Sequence, residues 1–95
     1  MRHALHLFIC QVDDALTGIT RDQLVQALHE LRIGCGVHYT PIHLHHYYRE
    51  TYGYRERDLP NAEYIGARTF SIPLSGIVTD EDAADVVRAL KQVFE

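Results

Sequence analysis

Four of the seven histidines, His38, His43, His45 and His46, fall within nine residues, interleaved with Tyr39, Tyr47 and Tyr48 and followed by Arg49. Imidazoles at this density are candidates for metal binding, proton transfer or hydrogen bonding to a polar ligand. If residues 42–52 are helical, His43 and His46 share a face with Glu50 one turn beyond His46, a donor set that zinc or nickel accepts. A structural zinc site needs four ligands, and neither Cys10 nor Cys35 stands at finger spacing, so no metal is expected as a functional cofactor. Tyr47, Tyr48 and Tyr52 read as a core stripe that buries its rings and keeps its hydroxyls wet. Arg49, Arg55 and Arg57 alternate with Glu50, Glu56 and Asp58, which predicts a solvated, mutually neutralised surface rather than an anion site.

Nucleophilic chemistry has little support. Cys35 lies three residues before His38, but strand alternation puts the two on opposite faces. Cys10 sits in an apolar run and reads as a small hydrophobe. There is no Gly-x-Ser-x-Gly elbow, no phosphate-cradling glycine loop and no dinucleotide fingerprint, so no catalytic residue is assigned.

These groups must be positioned by a chain of 95 residues, enough for one domain over residues 1–95 and no more. Its 46% hydrophobic and 23% charged residues are those of an ordinary globular domain. Folded, a protein of this mass exposes about 5,600 Å². The net charge of −4 argues against a nucleic-acid partner that works through phosphate neutralisation. The opening stretch is broken by His3 and His6 and reads neither as a signal peptide nor as a membrane span, and two cysteines fit a reducing, cytoplasmic compartment.

Residues 5–12 are apolar on both alternating sets, which predicts a strand buried on both faces. It begins almost at residue one, as at a cut boundary. Thr20 and Gln23 form a capping box, with Ile19 placed to staple against Leu24. The stripe Leu24, Ala27, Leu28 and Leu31 is buried, and Arg21, Gln26, Glu30 and Arg32 go to water. A second strand follows at residues 35–39. Thr40-Pro41 opens a helix that runs to Gly53. After the charged connector around residues 55–59, Asn61 caps a helix over residues 62–69, whose Gly66 implies a close neighbour. Residues 70–74 form a third strand, at an edge or bent because of Pro73. The last helix is capped by Thr79 with Asp82, acidic at its start and basic at its end, with a core stripe of Ala83, Val86, Val87, Leu90 and Phe94. The order β-α-β-α-α-β-α predicts an α+β fold, a two-layer sandwich in which helices cover a small three-stranded sheet.

At Val37-His38-Tyr39, followed by Pro41, His43 and Tyr47-Tyr48, the chain resembles the C-terminal small domain of the DegT/DnrJ/StrS family of pyridoxal-phosphate sugar aminotransferases. The likeness extends through His6-Leu7-Phe8-Ile9, Thr20-Arg21-Asp22-Gln23-Leu24, Pro60 with Ala62-Glu63, Ser71-Ile72-Pro73-Leu74 and Thr79-Asp80-Glu81-Asp82. The fragments are individually weak and specific in their order and spacing. The family often has Gln-Pro where this chain has His45-His46, which removes a helix-breaking proline and predicts an earlier helix start.

The resemblance implies the small-domain fold of the aspartate-aminotransferase-like superfamily, in a homodimeric parent. That parent would move an amino group from glutamate to a keto sugar carried on a nucleotide diphosphate. It also implies that His38 and Tyr39, with His43 as a further candidate, contact this substrate. The competing role for His38 is that of a satisfied core histidine. The cofactor chemistry needs a Schiff-base lysine, and the only lysine is Lys91, expected on a surface helix. The chain is therefore expected to be a fragment lacking the large pyridoxal-phosphate-binding domain, binding no cofactor and inactive alone. The alternative is a free-standing small binding or regulatory module.

Overall fold

The computed structural model describes residues 6–73, 75 and 77–95. Strand β1, Phe8–Gln11, pairs antiparallel with β2, Thr69–Ile72, in the register Phe8 to Ile72 and Gln11 to Thr69. On the other side of β2 the strand expected at residues 35–39 is reduced to one bridge, in which Gly36 and Ser71 exchange N–H···O bonds of 3.1 and 2.8 Å. The ladder stops because His38 turns back: its Nε2 lies 3.0 Å from the Ser71 hydroxyl, and a Cβ on Gly36 would collide with its ring. The two-stranded sheet plus bridge replaces the predicted three strands. β2 is thus the middle element rather than an edge, and Pro73 stands just past its end, where a missing N–H costs no ladder bond. Leu74, assigned to this strand from sequence, lies outside the described residues, as does Leu5 of the first strand.

β1 is not buried on both faces. Phe8 and Ile9 are 52% and 55% exposed, and only Cys10, with Val12 just beyond the strand, reaches the core. Between β1 and the first long helix, the turn-rich segment contains a short helix α1, Asp14–Thr17, capped by the Asp13 carboxylate on Ala15 N–H and ended by left-handed Gly18. Helix α2, Arg21–Glu30, has the predicted reciprocal box: Thr20 Oγ1 accepts from Gln23 N–H at 3.2 Å and Gln23 Oε1 accepts from Thr20 N–H at 2.9 Å. Leu24 and Leu28 are its buried positions, each stabilising the fold by about 1.5–3 kcal/mol through burial.

Helix α5, Asp80–Phe94, has the matching Thr79–Asp82 box. Its inward stripe is Val86, Ala89, Leu90 and Val93, rotated from the predicted one, so Val87 and Phe94 are about half exposed. Val12, Leu24, Leu28, Phe70 and Ala89 form the core cluster, with α2 and α5 packed together over the Phe70 side of the sheet. No helix among the described residues is long and apolar enough to cross a membrane.

The middle of the chain differs most from expectation. A 3-10 turn, Ile42–Leu44, is followed by a break at His45, whose ψ is 142°, and then by α3, His46–Tyr52, closed by left-handed Gly53. Losing the proline does not bring the helix start forward: His45 stays extended, with Nε2 3.2 Å from the Thr40 carbonyl. Helix α4, Pro60–Arg68, starts with proline in its first turn, one residue before the expected Asn61 cap.

Candidate functional site

The histidine–tyrosine cluster is spread across three environments. His38 is half-buried and bonded to Ser71, and its Nδ1 is buried without a partner. Tyr39 projects outward, 73% exposed, with its ring edge-on to His38 at 4.8 Å between centroids. His43 is buried, at 3% exposure, on the 3-10 turn. Its Nε2 lies 3.3 Å from Glu63 Oε2, an ion-pair distance without hydrogen-bond alignment, and its ring meets Tyr54 edge-on. The structure therefore sets the Tyr39 ring against His38 and keeps His43 apart from them, buried against Glu63 and Tyr54.

The expected tyrosine core does not form. Tyr47, Tyr48 and Tyr52 are all exposed, linked ring to ring from Tyr47 to Tyr48 at 5.2 Å and from Tyr48 to Tyr52 at 5.9 Å. Their spacing gives them a shared side of α3, but nothing among the described residues covers it. His46 pairs with Glu50 one turn along the same helix, at 3.2 Å and fully in solvent. Among the described residues no group of three or more His, Cys, Asp or Glu side chains is arranged to hold a metal ion.

Beside Tyr39 runs a groove of about 240 Å³, bounded by Arg21, Val37, Tyr39, Pro41, Glu63 and Gly66. Gly66 is required here: a Cβ would sit 2.7 and 2.9 Å from the Pro41 ring carbons, so α4 approaches the loop as closely as a bare backbone allows.

Arg21 is the groove residue that sequence reasoning assigned to water. Its side chain is only 14% exposed, with Nη1 donating to the carbonyls of Gly66 at 2.6 Å and Thr69 at 3.1 Å, while Nε pairs with Asp22. It thus supplies donors and positive charge to the carboxyl end of α4. One signal was available: a cation in the first turn of α2 opposes that helix's dipole, so its charge had to be used elsewhere. Glu63 supplies the groove's negative side. Its carboxylate accepts the Arg57 N–H with both oxygens at 2.9 Å. Those bonds hold its carboxyl below the usual range, against partial desolvation, with the His43 contact adding in the same direction.

A rim of this kind, with an exposed tyrosine hydroxyl beside a shallow groove whose arginine and carboxylate are already engaged within the chain, suits hydrogen bonding to a hydroxyl-rich ligand through Tyr39. Nothing in it supplies a nucleophile.

Comparison with known proteins gives this surface a context. Residues 1–91 match the model of the DegT/DnrJ/EryC1/StrS aminotransferase family. The chain is 43% identical over 95 residues to the spore coat polysaccharide biosynthesis protein SpsC of Bacillus subtilis, covering 99% of this chain and 24% of that protein. It is 39% identical over 93 residues to an uncharacterised protein of Methanocaldococcus jannaschii, covering 98% of this chain and 24% of that one. A DegT DnrJ EryC1 StrS aminotransferase from Brucella abortus has the same fold over 93% of this chain and 22% of its own, with a TM-score of 0.72 at 20% identity. The chain thus spans about a quarter of the length of the curated relatives it matches. By a family match that runs through nearly every residue, the chain belongs to the DegT/DnrJ/EryC1/StrS aminotransferase family.

Proposed function

We propose that residues 1–95 act as the small domain of a sugar-nucleotide aminotransferase, forming one wall of a site completed by a larger cofactor-binding domain in a homodimeric, cytoplasmic enzyme. The observation that carries this reading is the collinear likeness to much longer relatives over almost the whole chain. The exposed surface is in keeping with it: 7539 Å², against about 5,600 Å² for a folded monomer of this mass. Area of that kind is available for covering by a larger assembly.

Enzymes of the family use pyridoxal phosphate, which carries the electron-sink chemistry of amino transfer when bound to a lysine. The residues of this chain do not fit that cofactor. Lys91 is the only lysine. It is exposed in the last turns of α5 and bounds no part of the Tyr39 groove. No chemical step is assigned to this chain, and alone it is inactive under this proposal.

Its share is binding and orientation. Tyr39 presents a hydroxyl to the sugar or diphosphate, and His38, bonded to Ser71 through Nε2, is the second residue assigned to this contact. His43, the third residue of the set, contributes through the shape of the loop. The substrate is a keto sugar on a nucleotide diphosphate, and the amino donor is glutamate.

The test is to place this chain in a full-length family enzyme in exchange for its own small domain and measure the two half-reactions. Tyr39→Phe and His38→Ala should each lower kcat/KM for the keto sugar by about ten- to a hundredfold, while the glutamate half-reaction stays intact. Normal sugar kinetics in the folded double variant would remove the assignment. For the isolated chain, mixing with pyridoxal phosphate should give no saturable visible absorption band. A stoichiometric band lost in Lys91→Ala would overturn the small-domain reading.

A further inference from the structure

Between Val37 and Arg68, His43 is the only buried residue. The 3-10 turn that carries it cannot hold itself. It has two bonds of its own, Leu44 N–H to the Pro41 carbonyl at 2.9 Å and His45 N–H to that of Ile42 at 3.1 Å, and no side-chain cap. One such turn is too short to be stable in water without tertiary support. Ile42 is exposed and Leu44 only half-buried, so apolar burial anchors the turn weakly.

The support comes from α4, at two places one turn apart. Gly66 lets the Pro41 ring close onto the helix, and Glu63 reaches His43 on one side and the Arg57 N–H on the other. Arg57 has a φ of 75°, a left-handed conformation that a residue with a side chain adopts at a cost. Its N–H, turned toward Glu63, offsets that cost with a charge-assisted bond.

We propose that Glu63 is a positioning residue for the Tyr39 groove: its carboxylate ties the Arg57 turn to His43 and so fixes the loop that presents Tyr39. Its functional consequence rests on the reading that Tyr39 meets the substrate, but the tie itself can be measured without it. Glu63 does not touch substrate in this assignment. It acts through His43 and the 3-10 turn.

The experiment is amide hydrogen exchange and ring-proton NMR on the 95-residue chain with Glu63→Ala and Glu63→Gln. In Glu63→Ala, the Leu44 and His45 amides should exchange about tenfold faster and the Tyr39 ring signal should move, while the Leu24 and Leu28 amides of α2 keep their rates. Glu63→Gln keeps an acceptor oxygen, so it should restore protection at the Arg57 amide but not at Leu44 and His45. Three results would overturn the proposal: unchanged exchange at Leu44 and His45 in Glu63→Ala, equal acceleration throughout α2 in both variants, or full protection of Leu44 and His45 in Glu63→Gln. A titration of the unmodified chain with uridine diphosphate glucose reports separately on the substrate reading, since it follows Tyr39 without altering Glu63.

Discussion

Around Phe70 the chain is held by five buried apolar residues drawn from both of its ends. Between Val37 and Arg68 it is held by polar and steric fits against one face of α4: Glu63 on His43, Gly66 under Pro41, and Arg21 on the last carbonyls. The first region gains stability from area removed from water, which is forgiving of small shifts. The second depends on a few individual polar and steric contacts. The contrast separates what keeps the chain folded from what shapes the groove, so it should be possible to damage either without the other.

The largest expected effect lies in the first region. Leu28 is 0% exposed, and Leu28→Ala should destabilise the whole chain by about 2–5 kcal/mol. Thermal unfolding followed by circular dichroism should show a fall of about 4–8 °C for each kcal/mol. A loss below about 1 kcal/mol would mean that this region is not the stabilising one.

Next comes Gly66→Ala. Alanine favours a helix by about 1 kcal/mol over glycine, but the new methyl meets the rigid Pro41 ring, and such overpacking costs about 1–3 kcal/mol. Because the ring cannot swing aside, the steric cost wins. The expected result is a modest net destabilisation, with the Tyr39 and Leu44 signals displaced and those of Leu24 and Leu28 unmoved. A stabilised protein with an unchanged loop would break the comparison.

Acid should sharpen it further. The carboxyls of Glu63 and Asp82 are both held below their ordinary values, Glu63 first by the Arg57 N–H and Asp82 first by the Thr79 N–H. A depressed folded-state value means that their contribution is present above the unfolded value, near pH 4, and is lost as pH falls through the folded one. Each loss is local: the loop signals should respond with Glu63, and the start of α5 with Asp82. Carboxyl NMR titration checks both, and either group titrating at or above its ordinary value would contradict the assignment.

The smallest effect is expected at Tyr52. It is exposed and its ring lies against those of Tyr48 and Tyr54, themselves exposed, so Tyr52→Ser should change stability by about 0.5 kcal/mol or less. A larger loss in urea unfolding would show that the tyrosine row is a packing element after all.

The two regions also differ in how well the amino-acid sequence announces them. Thr20 with Gln23 and Thr79 with Asp82 are local chemistry, complete within four residues, and both boxes form as read. The leucine pair of α2 follows from helical periodicity. The inward face of α5 is one position off, because two apolar sets compete along that helix and only tertiary contact selects Ala89 and Val93 over Val87 and Phe94. Periodicity also gave Tyr47, Tyr48 and Tyr52 a common side, but spacing says nothing about what covers it. The Arg21, Glu63 and Gly66 contacts join residues far apart in sequence through single polar or steric fits, which leave no repeat to detect. The missing strand at residues 35–39 has the same origin, since His38 returns to Ser71 across the chain instead of continuing a ladder.

The pairing of β1 with β2 joins segments about sixty residues apart, so the sheet closes only after a long excursion of chain has been gathered in. Helix α2 can form locally and early. The strands must wait for residue 72 to be made. The excursion is solvent-exposed from His45 to Ala62, and the core residues divide across it, Val12, Leu24 and Leu28 before and Phe70 and Ala89 after. A cut near residue 55 would therefore sever no core contact, and the two pieces should stay joined as a reconstituted pair. Limited proteolysis followed by gel filtration would detect this, with co-elution as the expected result and separation as the result that refutes it.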